Sequence, residues 1–250
     1  MPEIRGVLNG AVGTIIISNP DRRNAMSLDM YAAVPGAVAD LAASPQLRCL
    51  LLRGEGEEAF CAGSNIDEFA ENRTGDSART YANVEHEAFA ALAGLSMPTI
   101  AAIHGACMGG GIALAASCDI RICADDARFA APPGKLGVGY PAEGVETLVR
   151  LIGLPATKMM LLTAKVIDTE EALRTGLVNE CVPKADLEAR IEELVTQVTR
   201  LAPLTLAAAK LAADGRAGAS AAVAACFASE DYREGIAAFQ EKRHPRFKGR

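Results

Sequence analysis

Apolar runs too brief to be helices recur along the first three quarters of the chain, each closed by glycine or another turn former, with helical periodicity between them. Ile15-Ile16-Ile17 follows Gly10 and Gly13 and ends at Asn19-Pro20-Asp21, so Ile4 to Ser18 reads as two short strands joined by a turn. Cys49-Leu50-Leu51-Leu52 is too apolar for an exposed strand, which makes it a buried one, closed by Gly54 to Gly56. Thr99 to Ile103, after Pro98, then Asp119 to Cys123 and Leu177 to Val182, continue the series. Between them, Ser27 is placed to cap a helix through about Ala43, with Pro35 predicting a kink. A polar loop, 70–80, precedes a helix from Tyr81 to about Leu95, and further helices are expected from Ile112 and from about Glu143 to Ile152. Asp168-Thr169-Glu170-Glu171 and Gly176 frame one more. Strand and helix in alternation predict an α/β fold. Beyond Lys184 no strand signal survives, and helical patterns separated by Pro203, by Gly215 and Gly218, and by Gly235 predict an all-helical appendage. The expected division is a core over 1–195 and a helical region over 196–250.

With 250 residues, half of them hydrophobic, the chain can bury a large core as one domain or a domain plus an appendage. An aromatic share of 4% without tryptophan and a net charge of −6 argue against nucleic-acid binding, which needs a basic face and stacking platforms. The start Met1-Pro2-Glu3-Ile4-Arg5 has no cationic segment leading into an apolar run, and no 18-residue apolar stretch follows, so a cytoplasmic protein without a membrane span is expected. Seven scattered cysteines, none in a CxxC pair, and three isolated histidines predict reduced thiols and no metal site.

Two glycine-containing turns carry the chemistry. Phe60-Cys61-Ala62-Gly63-Ser64-Asn65-Ile66-Asp67 follows the buried strand, where small residues would let a ligand approach free main-chain N–H groups. An ordinary turn capped by Asn65 or Asp67 fits the same residues. His104-Gly105-Ala106-Cys107-Met108-Gly109-Gly110-Gly111 leads from a strand into an apolar helix, without the GxGxxG pattern or the Lys and Ser/Thr of a phosphate loop. What remains is a helix start that favours a negatively charged oxygen, or close helix packing. Together, two strand ends that each offer an amide can form an oxyanion hole for a thioester carbonyl becoming an enolate.

These two motifs, with Arg23-Asn24-Ala25-Met26, Phe129 to Gly137, Ala172 to Val182 and the tail Phe239 to Arg243, resemble the crotonase, or enoyl-CoA hydratase/isomerase, superfamily over nearly the whole chain. The resemblance implies a ClpP/crotonase-like spiral of ββα units with a helical C-terminal region, assembled as a homotrimer or a dimer of trimers. It implies an acyl-CoA thioester as ligand, coenzyme A being part of the substrate rather than a separate cofactor, and a place in fatty acid metabolism. It puts the oxyanion donors on the amides of Ser64 and Gly110. Main-chain groups from Ala62 through Asn65, Ile66 and Asp67 would hold adenine and pantetheine, with Asn24-Ala25 flanking the nucleotide. Lys242, in a tail with five basic residues, would approach the phosphates.

Two departures bear on the reaction. Hydratases of the family carry a Glu after the glycine cluster and a second in a Phe-x-x-Pro-Glu run; Ala113 and Pro133 stand there, and neither can exchange protons. Pro141 stands where related isomerases and dehalogenases often place an Asp. The segment Lys135 to Gly144, with Tyr140, and the tail segments Ser229 to Gly235 and Phe239 to Arg243 are similar to the methylmalonyl-CoA decarboxylase branch, although that branch has His where Ser64 stands. A lyase that decarboxylates a malonyl-type thioester is the expected activity, with Tyr140 or Glu143 orienting or protonating. A hydratase or isomerase with a different acid/base, a serine hydrolase using Ser64 with His86 or His104, and a non-catalytic acyl-CoA binder are the alternatives.

Overall fold

The computed structural model describes residues 1–250. Its strands are β1 (Glu3–Asn9), β2 (Val12–Ser18), β3 (Cys49–Gly54), β4 (Ala59–Cys61), β5 (Thr99–Ile103), β6 (Ala106–Met108), β7 (Ile120–Ala124), β8 (Arg128–Ala130) and β9 (Glu180–Val182). The helices are α1 (Leu28–Ala42), α2 (Phe69–Asn72), α3 (Ser77–Ala93), α4 (Gly110–Ala116), α5 (Pro133–Leu136), α6 (Ala142–Thr163), α7 (Thr169–Thr175), α8 (Leu187–Thr199), α9 (Pro203–Ala213), α10 (Ala219–Ala228) and α11 (Glu230–Gln240). A six-stranded sheet runs in the order β1-β2-β3-β5-β7-β9, parallel except for the β1–β2 hairpin, and a parallel three-stranded sheet runs β4-β6-β8. The pairs β3–β4, β5–β6 and β7–β8 each give one strand to the large sheet and the next to the small one. This is the spiral of ββα units, and it brings the ends of β4 and β6 side by side.

The period of two explains why β3 is so apolar. Leu50 and Leu52 enter the main core with α1, α3 and α4, whereas Cys49 and Leu51 face the other way with Ile100, Ala102, Ile122 and Ala124. Leu187, Ile191, Val195 and Val198 of α8 close over that second face, each worth about 1.5–3 kcal/mol if fully withdrawn from water. The core thus extends past residue 195, to the end of α8, before the helical C-terminal region begins.

Helix ends follow their caps. Ser27 Oγ accepts from Met30 N, Asp168 accepts from Glu171 N, and Gly176 closes α7 at φ 84°. Helix α1 runs unbroken through Pro35, while the break anticipated there falls in α6, at Gly153 with φ 77° and ψ 160°. The polar stretch 70–80 is partly helical, since α3 begins at Ser77, four residues ahead of Tyr81. Gly235 lies inside α11, and the boundary before that helix is Ser229, whose Oγ accepts from Tyr232 N. No helix is long and apolar enough to cross a membrane.

Candidate active site

After β4 the chain passes through Gly63 (φ 103°) to Ser64, and after β6 through Gly109 (φ 49°) to Gly110. Positive φ just ahead of each donor turns its peptide out of the strand direction, a conformation glycine reaches without the clash of a Cβ. The first turn is pinned by Met26, whose N donates to Gly63 O at 2.8 Å and whose O accepts from Asn65 N at 2.7 Å. The second is the start of α4, where Gly110 N has no carbonyl a turn below it. A side chain on Gly63 would come within 3.7 Å of Gly110 N, so the two turns adjoin. A Cβ on Gly110 would collide with the Tyr31 hydroxyl and lie 3.3 Å from Ser64 Oγ, which requires glycine there.

A cavity of about 420 Å³ opens on these turns. Of the expected site residues, Ala62, Ser64, Ile66, Gly110, Tyr140 and Glu143 line it together. Ala113 and Pro133 line it as well, so the positions named for the two family glutamates face the cavity. Tyr140 is half-buried and its hydroxyl donates to Gly109 O at 3.4 Å; burial pushes its pKa upward, which holds the proton on that oxygen. Glu143 is exposed, at the first turn of α6.

The remaining expected ligands do not line the cavity. Asn24 is 1% exposed and works as a brace: its Nδ2 donates to Glu55 O and Ala59 O, and its Oδ1 accepts from Asn19 N. Ala25 is buried beside it. Asn65 Oδ1 caps the following turn and its Nδ2 donates to Glu68, while Asp67 pairs with Arg22 at 2.6 Å. Lys242 is exposed at φ 54°, in a tail folded back on α11 through Arg243–Glu234 and Arg250–Glu230 pairs.

A cluster absent from the expectations sits against Ser64. Glu85 of α3 is 4% exposed and lines the cavity; its Oε1 accepts from Ser64 Oγ at 2.9 Å, and its Oε2 accepts from Arg73 at 3.1 Å. Tyr31 Oη lies 3.1 Å from the same serine oxygen. Arg73 is stacked over Phe69 and Tyr81 at 4.9 and 4.7 Å from the ring centroids. Desolvation raises the Glu85 pKa, against the opposing pull of Arg73 and Ser64. The sequence carries a signal for this residue, for Tyr81, Glu85, Ala88 and Leu92 are the buried stripe of α3, and a carboxylate on such a stripe is exceptional.

Other candidate groups resolve into structural ones. No histidine engages Ser64 Oγ, whose partners are Glu85 and Tyr31, so a Ser–His pair is not formed. Cys61 and Cys107 are fully buried thiols, burial pushing Cys61 up to about 12 and Cys107 well above its usual value. Asp119 Oδ2 accepts from Thr99 N, Thr99 Oγ1 and Lys210 Nζ, tying α9 to the large sheet.

A two-sheet α/β spiral of ββα units, with two adjoining glycine turns opening on one cavity, defines the crotonase-fold class of proteins. Within that class, the chain belongs to the enoyl-CoA hydratase/isomerase family, whose sequence profile matches residues 8–250. It is 32% identical over 243 residues to the short-chain-enoyl-CoA hydratase of Clostridium acetobutylicum, covering 94% of this chain and 93% of that one. It is 34% identical over 258 residues to the carnitinyl-CoA dehydratase of Salmonella heidelberg, covering 97% of each. The solved structure of an enoyl-CoA hydratase/carnitine racemase from Magnetospirillum magneticum superposes with a TM-score of 0.94 at 32% identity, covering 100% of this chain and 97% of that one. These relatives are named for hydration, dehydration and racemisation, and none of the three is named a decarboxylase.

Proposed function

We propose that the protein is a cytoplasmic lyase that binds an acyl-CoA thioester with its carbonyl oxygen at Ser64 N and Gly110 N and decarboxylates a malonyl-type acyl group. The observation that carries this reading is the composition of the cavity: beyond the two donor turns, Ala113, Pro132, Pro133, Leu136 and Val138 contribute an apolar lining. Two amides aimed at one oxygen stabilise charge only as it develops. A substrate carboxylate among apolar groups is poorly solvated, while the CO₂ it becomes is neutral, so that lining favours its loss. The bond from Cα to the carboxylate breaks, its electron pair enters the enolate, CO₂ leaves, and Cα then takes up a proton. Tyr140, donating to Gly109 O, holds the second donor turn in place, and Glu143 stands at the cavity for the entering acyl group.

The names of the relatives favour a second reading, an enoyl-CoA hydratase or isomerase whose acid/base is not at positions 113 and 133. Crotonyl-, methylmalonyl- and ethylmalonyl-CoA offered in parallel separate the two: release of CO₂ supports decarboxylation, hydration of crotonyl-CoA at ordinary rates overturns it, and tight binding without turnover marks a binder. Coenzyme A enters as part of the substrate, with Lys242 toward its phosphates. The exposed Leu154, Met159, Leu162, Phe227, Ile236 and Phe239 of α6, α10 and α11 support a homotrimer or a dimer of trimers. A monomeric mass by light scattering at micromolar concentration would contradict that assembly.

A further inference from the structure

Any reaction through an enolate at the two amides has to add or remove a proton at Cα, and the cavity holds one carboxyl group that is both buried and connected to a donor turn. Glu85 projects from α3 to within hydrogen-bonding distance of Ser64 Oγ, and Ser64 is the residue whose amide forms half of the oxyanion hole. We infer that Glu85, acting through the Ser64 hydroxyl, is the group that moves the proton at the α-carbon of the bound thioester. This rests on the reading that an enolate forms at Ser64 N and Gly110 N, and it is indifferent to whether CO₂ loss or proton loss creates that enolate.

The surroundings suit the role. Arg73 donates to both carboxyl oxygens, at 3.1 Å to Oε2 and 3.4 Å to Oε1, and Oε1 also accepts from the Ser64 hydroxyl at the shorter distance of 2.9 Å, which fixes the carboxyl against the serine. Tyr31 Oη reaches Ser64 Oγ from α1, restricting the hydroxyl to a narrow set of directions. The Tyr81 hydroxyl, also buried, has no hydrogen-bond partner, which leaves an uncommitted polar group in the same cluster. The charged and titratable groups facing Glu85 are Arg73 from the loop after α2, Tyr31 from α1, Tyr81 on its own helix and Tyr140 from the segment before α6. Arg73 and the hydrogen bond from Ser64 favour the carboxylate. Burial outweighs them and raises the Glu85 pKa, the direction that suits a group that both takes and gives a proton.

The step balances in both directions. In proton removal, the Cα–H bond breaks, Ser64 Oγ takes that proton while passing its own to the Glu85 carboxylate, and the electron pair moves through Cα to the oxygen held by the amides. After decarboxylation, protonated Glu85 gives its proton to Ser64 Oγ as the hydroxyl protonates Cα, and solvent restores the Glu85 proton.

The test is exchange of the α-protons of propionyl-CoA in D₂O, followed by proton NMR with the whole protein, beside methylmalonyl-CoA decarboxylation. Wild type is expected to exchange, Glu85→Gln to lose roughly 10²–10⁴-fold in exchange rate, and Glu85→Asp to recover part of it. The wild-type rate should fall with decreasing pH with a midpoint above the ordinary carboxylate value, a feature missing from Glu85→Gln. Because Glu85→Gln leaves Arg73 without its counter-charge and could impair folding, Ser64→Ala is the second variant: it keeps the Arg73–Glu85 pair and the donor amide, and is expected to lose exchange to a similar degree with propionyl-CoA Kd changed less than threefold. Wild-type exchange rates in Glu85→Gln or in Ser64→Ala, or no exchange by wild type with ligand bound, overturn the inference. Exchange without CO₂ release leaves Glu85 in its role and removes the decarboxylase; CO₂ release with exchange unaffected by Glu85→Gln does the reverse.

Discussion

The two stretches of chain that line the cavity treat charge in opposite ways. Residues 108–144 supply glycines, Met108, Ala113, three prolines, Leu136 and Val138, with Tyr140 donating to a backbone carbonyl and Glu143 exposed. Residues 62–89 supply the buried Glu85 carboxyl, bonded to Ser64, and the partly buried Arg73 guanidinium, bonded to that carboxyl. Each stretch contributes one of the two adjoining glycine turns, but the buried carboxyl group of the cavity is on the second. The family's hydratases are expected to keep their carboxylates on the first stretch, where Ala113 and Pro133 stand in this chain, so the buried carboxyl of this cavity belongs to the other stretch.

The largest effect is expected where the stretches act together. Gly110→Pro deletes one donor amide and should lower turnover by about 10²–10³-fold, the equivalent of about 2.7–4 kcal/mol, while part of the coenzyme A affinity survives; turnover beside calorimetric binding checks it. Equal turnover would dissolve the premise that both stretches serve one oxygen. Returning a carboxylate to the first stretch by Ala113→Glu should raise crotonyl-CoA hydration by at least roughly tenfold, below the full 10²–10⁴ of an optimally placed base. A flat hydration rate would mean that this side of the cavity has lost more than a side chain. Tyr140→Phe removes one neutral hydrogen bond to Gly109 O and should cost about fivefold in turnover, near 1 kcal/mol. A loss of 10²-fold or more would move the proton from the α3 side to Tyr140.

The smallest effect lies away from both stretches. Glu234 accepts from Arg243 and from Arg246 N, and these hydrogen bonds bring its carboxyl down to about 2. Its folded-state pKa is depressed, so the stabilisation is complete above the ordinary carboxylate range and fades as pH falls toward 2. Melting curves of wild type and Glu234→Gln should therefore differ slightly at pH 7 and converge in acid, with α-proton exchange the same in both.

What could be read in advance depended on how local the signal was. The strands of the large sheet announce themselves because Leu50 and Leu52 face one core and Cys49 and Leu51 another, making an unbroken apolar run. The small sheet does not, since β4, β6 and β8 are three residues each and lie within the motif segments Phe60–Cys61, Ala106–Met108 and Phe129–Ala130, whose glycines and prolines read as turns. The donor turns were legible from spacing, yet the pairing that brings Ser64 beside Gly110 is made by those hidden strands. Glu85 lies 21 residues from Ser64 and Arg73 nine beyond it, so their meeting depends on how α3 docks on α1. The resemblance places the Asn24-Ala25 turn by its position in a motif, and the bracing role of the Asn24 side chain, which bonds Asn19, Glu55 and Ala59, becomes visible only in the fold.

The parallel pairing of the large sheet also sets the order in which the molecule can be made. Apart from the β1–β2 hairpin, every strand contact closes a wide loop: β3 meets β5 across the whole of α3, and β7 meets β9 across α6 and α7. The entropy of such closures has to be met before the contacts stabilise anything, which slows the approach to the native state. The Lys210–Asp119 bond spans 91 residues and ties α9 to the sheet across such a loop. A fluorescent reporter placed on α9 should register its signal after one placed on β2, in seconds rather than milliseconds, and α9 is the first segment a protease should find exposed on a newly synthesised chain.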